Sequence, residues 1–286
     1  MLTLLREDPS RYDGWSLDLR DPEFIRAVMP FNELAYRYYF RVEARGFENT
    51  PESGPFLLIG NHNGGISTPD TGMTAHAWYS CKGADAPIYG LVHPQIFDIP
   101  YLNVYAMKIG GIRAHPRAAM AALERGAPLL IYPGGGDDVY RTYDRRHEIV
   151  LSGRTAFVKL ALRYGLPIVP IVTLGGHDSL IVLDDGKDLA RALGLDRYGV
   201  ERLPIALTLP WGLTVGVVPY WPLPIRIEIE VGTAISWQGL GPESARDREV
   251  VRACYLEVER AMQGMLDRMV AARAGRQAAE TARAGS

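Results

Sequence analysis

The sequence predicts an α/β fold, a mostly parallel central sheet flanked by helices, with an amphipathic helix before it and a long helix after it. From Pro55 onward the short apolar runs PFLLIG, APIYGLV, APLLIYP and LPIVPIV alternate with stretches of helical periodicity. That is the pattern of strands buried on both faces and connected by helices. The helical stretches carry their own boundaries. PRAAMAALERG opens on Pro116 and stops at Gly126, and GRTAFVKLALRYG puts Phe157, Leu160, Ala161 and Tyr164 on one face before Gly165.

In chain order, residues 1–45 form an N-terminal helical region. Phe24, Val28, Phe31, Leu34 and Tyr38 recur at spacings of three and four from Pro22 to about Arg45. This face packs on the core or lies on a membrane, and the aromatics Tyr36, Tyr38, Tyr39 and Phe40 keep the second option open. Residues 46–240 hold the strand and helix repeats. Within them the longest uncharged stretch, LPIALTLPWGLTVGVVPYWPLPI from Leu203 to Ile225, has the length of a bilayer span but contains five prolines. Lipid cannot replace the backbone bonds those rings remove, so a simple spanning helix is disfavoured. A loop that dips into lipid or lines an apolar tunnel, or a proline-rich loop packed on the core, remains. IRIEIEVG alternates apolar and charged residues as a half-exposed strand at or near a sheet edge. Residues 241–275 form a helix with the stripe Val251, Tyr255, Val258, Met262, Met265 and Met269, which docks on the core, at a dimer seam or on a membrane. Residues 276–286 are expected to be a flexible tail.

The 31 basic and 33 acidic residues give a formal charge of -2, so no global basic field exists to hold nucleic acid. Cys81 and Cys254 lack CxxC spacing, which indicates neither a zinc knuckle nor a disulfide framework and fits a reducing compartment. The N-terminus MLTLLREDPSRYDG has no apolar run of signal-peptide length, so a cytoplasmic protein is expected.

Chemistry is concentrated in loops beyond strand ends, where catalytic groups of such sheets collect. GNHNGGISTPD, residues 60–70, directly follows Phe56-Leu57-Leu58-Ile59. His62 there is a general base whose tautomer Asp70 would fix, a metal ligand, or a histidine in a tight turn. IYPGGGDDVYR places Gly134, Gly135 and Gly136 where backbone N–H groups either point at an anion or close a turn, with Arg141 within reach. KIGGIRAHPR sets Arg113 before a helix start, where a guanidinium either grips a phosphate or stays solvated. LGGHDSL puts His177 on the same sheet edge as His62, while His76, His93 and His115 fit structural roles.

Taken in order, these blocks resemble the glycerolipid acyltransferase superfamily, which includes lysophosphatidate acyltransferases and the second type of diacylglycerol acyltransferase. The resemblance runs from about Tyr39 to Gly176. RVEARGFENTPESGPFLLIGNHNGG is similar to the family's lead-in and its first motif, an asparagine-histidine pair with a nearby aspartate. By that match Asn61 opens the motif, His62 deprotonates the acceptor hydroxyl and Asp70 is its partner. GGIRAHPRAAMAALERG resembles the second block, whose arginine would be Arg113. LLIYPGGG stands where the family has Pro-Glu-Gly, and GRTAFVKLALRYGLPIVPIVTLGG resembles the fourth region in wording nearest the diacylglycerol branch. Two departures stand out. Seven residues separate His62 from Asp70 where the motif has four, and Gly134 replaces the glutamate of the third block, leaving Asp137 or Asp138 to take its role.

The resemblance implies an acyl-CoA-dependent O-acyltransferase acting on a lipid alcohol, with acyl-CoA as co-substrate, no separate cofactor or metal, and peripheral contact with a membrane. The implied substrate-binding set is Asn61, Gly64, Gly65, Arg113, Gly134, Gly135, Gly136, Asp138, Arg141 and His177. Two other readings stay open. A non-catalytic lipid-binding protein fits the altered third block, and a metal-dependent phosphoesterase is echoed by GNH and GGHD. A serine hydrolase is disfavoured because no GxSxG occurs.

Overall fold

The computed structural model describes residues 6–284. Its centre is a seven-stranded sheet in the order β1-β10-β6-β2-β5-β3-β4. The strands are β1 (Glu43–Arg45), β2 (Leu57–Gly60), β3 (Tyr89–Val92), β4 (Gly111–Arg113), β5 (Leu129–Ile131), β6 (Ile168–Leu174) and β10 (Glu228–Val231). From β6 to β4 all neighbours are parallel, and β10 joins β6 antiparallel with β1 parallel to β10. The strands β7 (Ile181–Asp184), β8 (Ile205–Thr208) and β9 (Gly212–Val215) form a separate antiparallel sheet.

Alternation along β2 builds two cores, one on each face of the large sheet. Leu57 and Ile59 pack with the helices α4 (Pro116–Glu124), α6 (Ala156–Tyr164) and α8 (Arg248–Ala284). Leu58 packs on the other face with α1 (Pro22–Leu34) and α2 (Pro69–Lys82). All six stripe residues of α8 are buried in the first core, which resolves that stripe as core docking. The remaining helices are α3 (Leu102–Lys108), α5 (Gly136–Val139) and α7 (Lys187–Ala192). Among the described residues no helix is long and apolar enough to cross a membrane.

Four expectations change. The N-terminal helix stops at Leu34, continues as a π-turn over Ala35–Tyr39 and gives way to β1, so it does not reach Arg45 as one helix. Of its expected apolar face Phe24 is buried, whereas Phe31, Leu34 and Tyr38 are exposed. The strand of IRIEIEVG lies near the sheet edge as expected, one place in, but it is mostly buried and not half-exposed, because β1 pairs outside it and Glu228 meets Arg273 and Arg276 of α8. Finally, α8 runs through the expected tail to Ala284, as its alanine, arginine, glutamate and glutamine content favours. Residues 1–5 at the chain start and 285–286 of that tail lie outside the described residues.

The uncharged stretch is a β-hairpin followed by an irregular return, a structure that neither loop expectation anticipated. β8 and β9 pair with Leu207 opposite Leu213, and Leu209 bridges to Trp221.

Candidate active site

His62 sits immediately beyond β2, at the carboxyl end of the parallel strands. The loop turns sharply after it because Gly64 and Gly65 both adopt positive φ, +78° and +59°. A side chain at Gly64 would meet Ser179 Oγ at 2.6 Å, so this turn has room for glycine only. A single helical turn over Gly65–Ser67 absorbs the long gap between His62 and the aspartate, and α2 then opens at Pro69 with Asp70 in its first turn.

The result is a close pair. His62 Nδ1 lies 3.1 Å from Asp70 Oδ2. Asp70 is fully buried and also accepts the N–H groups of Asn63 at 2.8 Å and Thr71 at 2.8 Å. The imidazole stacks on Tyr132 with ring centroids 4.4 Å apart and 14° between planes. Its side chain keeps 17% of its surface exposed, and Nε2 meets no acceptor or donor among the described residues. Burial disfavours the imidazolium, but the carboxylates of Asp70 and Asp138 outweigh it, so His62 titrates above its ordinary value.

Beneath this pair lies a buried polar frame. The His62 N–H donates to Asp138 Oδ2 at 2.5 Å, and Asp138 forms an ion pair with Arg141, both side chains being fully enclosed. Arg141 also donates to Asn63 Oδ1 at 3.2 Å, and Asn63 Nδ2 donates to Thr173 Oγ1 at 2.6 Å. Asn61 spends its amide on Thr173 of β6, accepting from its N–H at 2.8 Å and donating to its carbonyl at 2.9 Å. Burial pushes the Asp138 carboxyl up to about 6 even though Arg141 and the His62 N–H favour its ionised form. Burial likewise lowers Arg141 against the upward pull of Asp138. His177, at the end of β6, is buried and held well below its ordinary value by desolvation and by Arg141 and His62.

These placements sort the residues singled out in the sequence. His62 and Asp70 come together, with Gly64 and Gly65 beside them. Asn61, Asp138, Arg141 and His177 surround the same loop and are buried. The polar groups of Asn61, Asp138 and Arg141 are engaged in the frame beneath His62, whereas the buried His177 Nε2 meets no partner among the described residues. Arg113 stands at the same sheet edge three strands away, about 14 Å at ordinary strand spacing. Its Nε donates to the Asp13 carbonyl at 3.0 Å and its guanidinium lies over Trp15 and Phe97.

The Gly134 to Gly136 loop is not an open cradle. A side chain at Gly134 would strike the Val150 carbonyl at 2.0 Å, and Arg154 and Arg202 crowd Gly135 and Gly136. Those two arginines and Lys187 surround Asp137: Arg202 Nη2 and Lys187 Nζ contact it at 2.7 Å and 2.6 Å, and Arg154 Nη2 at 3.8 Å. This cluster is absent from the sequence-based set because its members, from Asp137 to Arg202, lie up to 65 positions apart. Tyr132 and Asn63 were missed too, although Asn63 lies inside GNHNGG. Among the described residues no group of three or more His, Cys, Asp or Glu side chains is placed to hold a metal.

Chemically, the arrangement offers a histidine with one nitrogen fixed by a buried carboxylate and the other open, next to N–H groups of Gly64 and Gly65 that meet no acceptor among the described residues. The Acyltransferase family model matches residues 41–174. An uncharacterized protein of Mycobacterium tuberculosis is 30% identical over 254 residues, covering 88% of this chain and 68% of the relative. Phytyl ester synthase 1, chloroplastic, of Arabidopsis thaliana is 26% identical over 238 residues, covering 75% of this chain and 32% of that protein. Among solved structures, the 1-acyl-sn-glycerophosphate acyltransferase PlsC of Thermotoga maritima shares the fold with a TM-score of 0.53 at 17% identity, covering 86% of this chain and 80% of the other.

Proposed function

The chain belongs to the Acyltransferase family, and on that premise we propose that it moves a fatty acyl group from acyl-CoA to the hydroxyl of a lipid alcohol, with His62 as general base. The observation that carries this is the His62–Asp70 pair, 3.1 Å apart, with Nε2 left open. Nε2 removes the proton as the acceptor oxygen attacks the thioester carbonyl. The tetrahedral intermediate then expels the coenzyme A thiolate, which takes the proton back from the imidazolium. Both substrates are held together, so no acyl-enzyme is needed. In this reading the N–H groups of Gly64 and Gly65, which meet no acceptor among the described residues, stabilise the oxyanion, each such donor contributing about 3 kcal/mol in comparable sites. Acyl-CoA serves as co-substrate and no resident cofactor or metal enters the reaction.

The acceptor is a lysophospholipid, an acylglycerol or another lipid alcohol, and the site favours one without a phosphate. Gly134 replaces the third-block glutamate, Asp137 is engaged by three cations and Asp138 is buried beneath His62. The relative named phytyl ester synthase is in keeping with a neutral acceptor. A lipid acceptor also calls for peripheral contact with a membrane on its cytoplasmic side.

Release of coenzyme A thiol from a long-chain acyl-CoA, followed with a panel of lipid alcohols, tests this. His62→Ala should lower turnover by at least about a thousandfold while the fold and acyl-CoA binding persist. A His62→Ala protein with near-normal turnover would remove the base from the mechanism.

A further inference from the structure

We propose that the β8–β9 hairpin and the return through Trp221 form a bilayer-docking surface that holds the His62 loop at the lipid face. This rests on the reading of the acceptor as a lipid. The hairpin is patterned in the reverse of a soluble one. Ala206 and Thr208 of β8 point inward and are buried, and Thr214 of β9 donates to the Ala206 carbonyl. Leu207, Leu213 and Val215 point outward, Leu207 and Leu213 forming a cross-strand pair in which Leu213 is 63% exposed. Trp211 at the turn and Trp221 on the return are 64% and 66% exposed.

The surface continues beyond the hairpin. Tyr39 meets Trp221 edge-on at 6.4 Å and its hydroxyl donates to the Pro222 carbonyl at 2.6 Å. Tyr39 ends the turn that follows α1, whose exposed Phe31 and Leu34, with Tyr38, recur at helical spacing. No charged residue occurs between Leu203 and Ile225. At the margin stands the exposed Arg41, its guanidinium 3.5 Å from the Pro224 carbonyl, with no acidic partner among the described residues. Apolar residues with tryptophans and tyrosines, rimmed by a free cation, match the headgroup region of an anionic bilayer.

A second copy of the chain fits less well. Pro210, Pro219, Pro222 and Pro224 remove donors from the turn and the return that flank β9, which leaves only the short edge of β9 itself for strand-to-strand association. The surface is also fixed to the active site. The Tyr220 hydroxyl donates to the Gly64 carbonyl, and Ser67 Oγ donates to the Tyr220 carbonyl at 3.4 Å. Docking through Trp211 and Trp221 therefore brings the loop that carries His62 to the bilayer.

The test uses the full chain with vesicles of phosphatidylcholine and phosphatidylglycerol. The wild-type protein should co-sediment with them, and brominated acyl chains should quench its tryptophan emission. Trp211→Ser with Leu213→Ser should lower partition roughly a hundredfold. It should leave the thermal melt and transfer to a short-chain, water-soluble alcohol unchanged. Arg41→Glu should weaken binding to vesicles with phosphatidylglycerol and spare those of phosphatidylcholine alone. Unchanged partition of the double variant overturns the proposal. So does sedimentation velocity showing a wild-type dimer that this variant splits, because the face would then join two copies. His62→Ala separates the two conclusions: retained partition without turnover supports both, and retained turnover removes the base while partition still judges the docking surface.

Discussion

The large and small sheets of this chain are patterned in opposite senses. In the large one both faces are covered, so alternate residues of a single strand such as β2 serve two cores. In the small one β8 turns Ala206 and Thr208 toward the body of the protein and Leu207 outward. A sheet of the first kind completes itself on folding. One of the second kind leaves apolar area in water, a cost that a binding partner recovers.

Substitutions can break this comparison. The largest loss of stability is expected at the buried frame: Asp138→Ala strands Arg141 without its carboxylate and should cost about 3–5 kcal/mol, measured by urea unfolding. A loss below about 1 kcal/mol would mean that Arg141 finds water or another partner. In the large sheet Leu58→Ala opens a cavity between β2 and α2 and should cost about 2–5 kcal/mol. In the small sheet Leu213→Ser should change the same measurement by no more than about 0.5 kcal/mol. Equal costs at Leu58 and Leu213 would abolish the distinction between the sheets.

A pH profile sharpens it from the site's side. His62 must be neutral to accept a proton, and its pKa is raised. Turnover at limiting substrate should therefore fall as pH drops through a value above the ordinary 6.5 or so. Asp70→Asn removes an upward influence, so the acid limb should move to lower pH while turnover falls about a hundredfold. A limb that stays in place would show that Asp70 does not set the titration.

Much of the large sheet was legible in the sequence because its signals are local. Apolar runs, Pro116 at a helix start and Gly165 at a helix end each act within a few residues. The His62–Asp70 pair was legible for the same reason, although only the structure shows the turn that takes up the longer spacing. The contacts of Asn63 and Arg141 bring together residues from separate strand ends, and no local pattern announces them. Glu228 misled the reading of β10, since its alternation suits a half-exposed strand until Arg273 and Arg276 arrive from a helix more than forty residues away. The hairpin did carry a signal. Leu207-Thr208-Leu209 and Leu213-Thr214-Val215 alternate at the period of a strand, but five prolines and an apolar outer face masked it.

The clasp around Asn63 also bears on how the chain ages. Asparagine followed by glycine is prone to cyclise onto the next backbone nitrogen and lose its amide, and Asn63 precedes Gly64. Here Arg141 and Thr173 grip both ends of that amide and Asp70 holds the Asn63 N–H. The folded loop thereby shields its own most fragile bond, so deamidation at this position becomes a clock for unfolding.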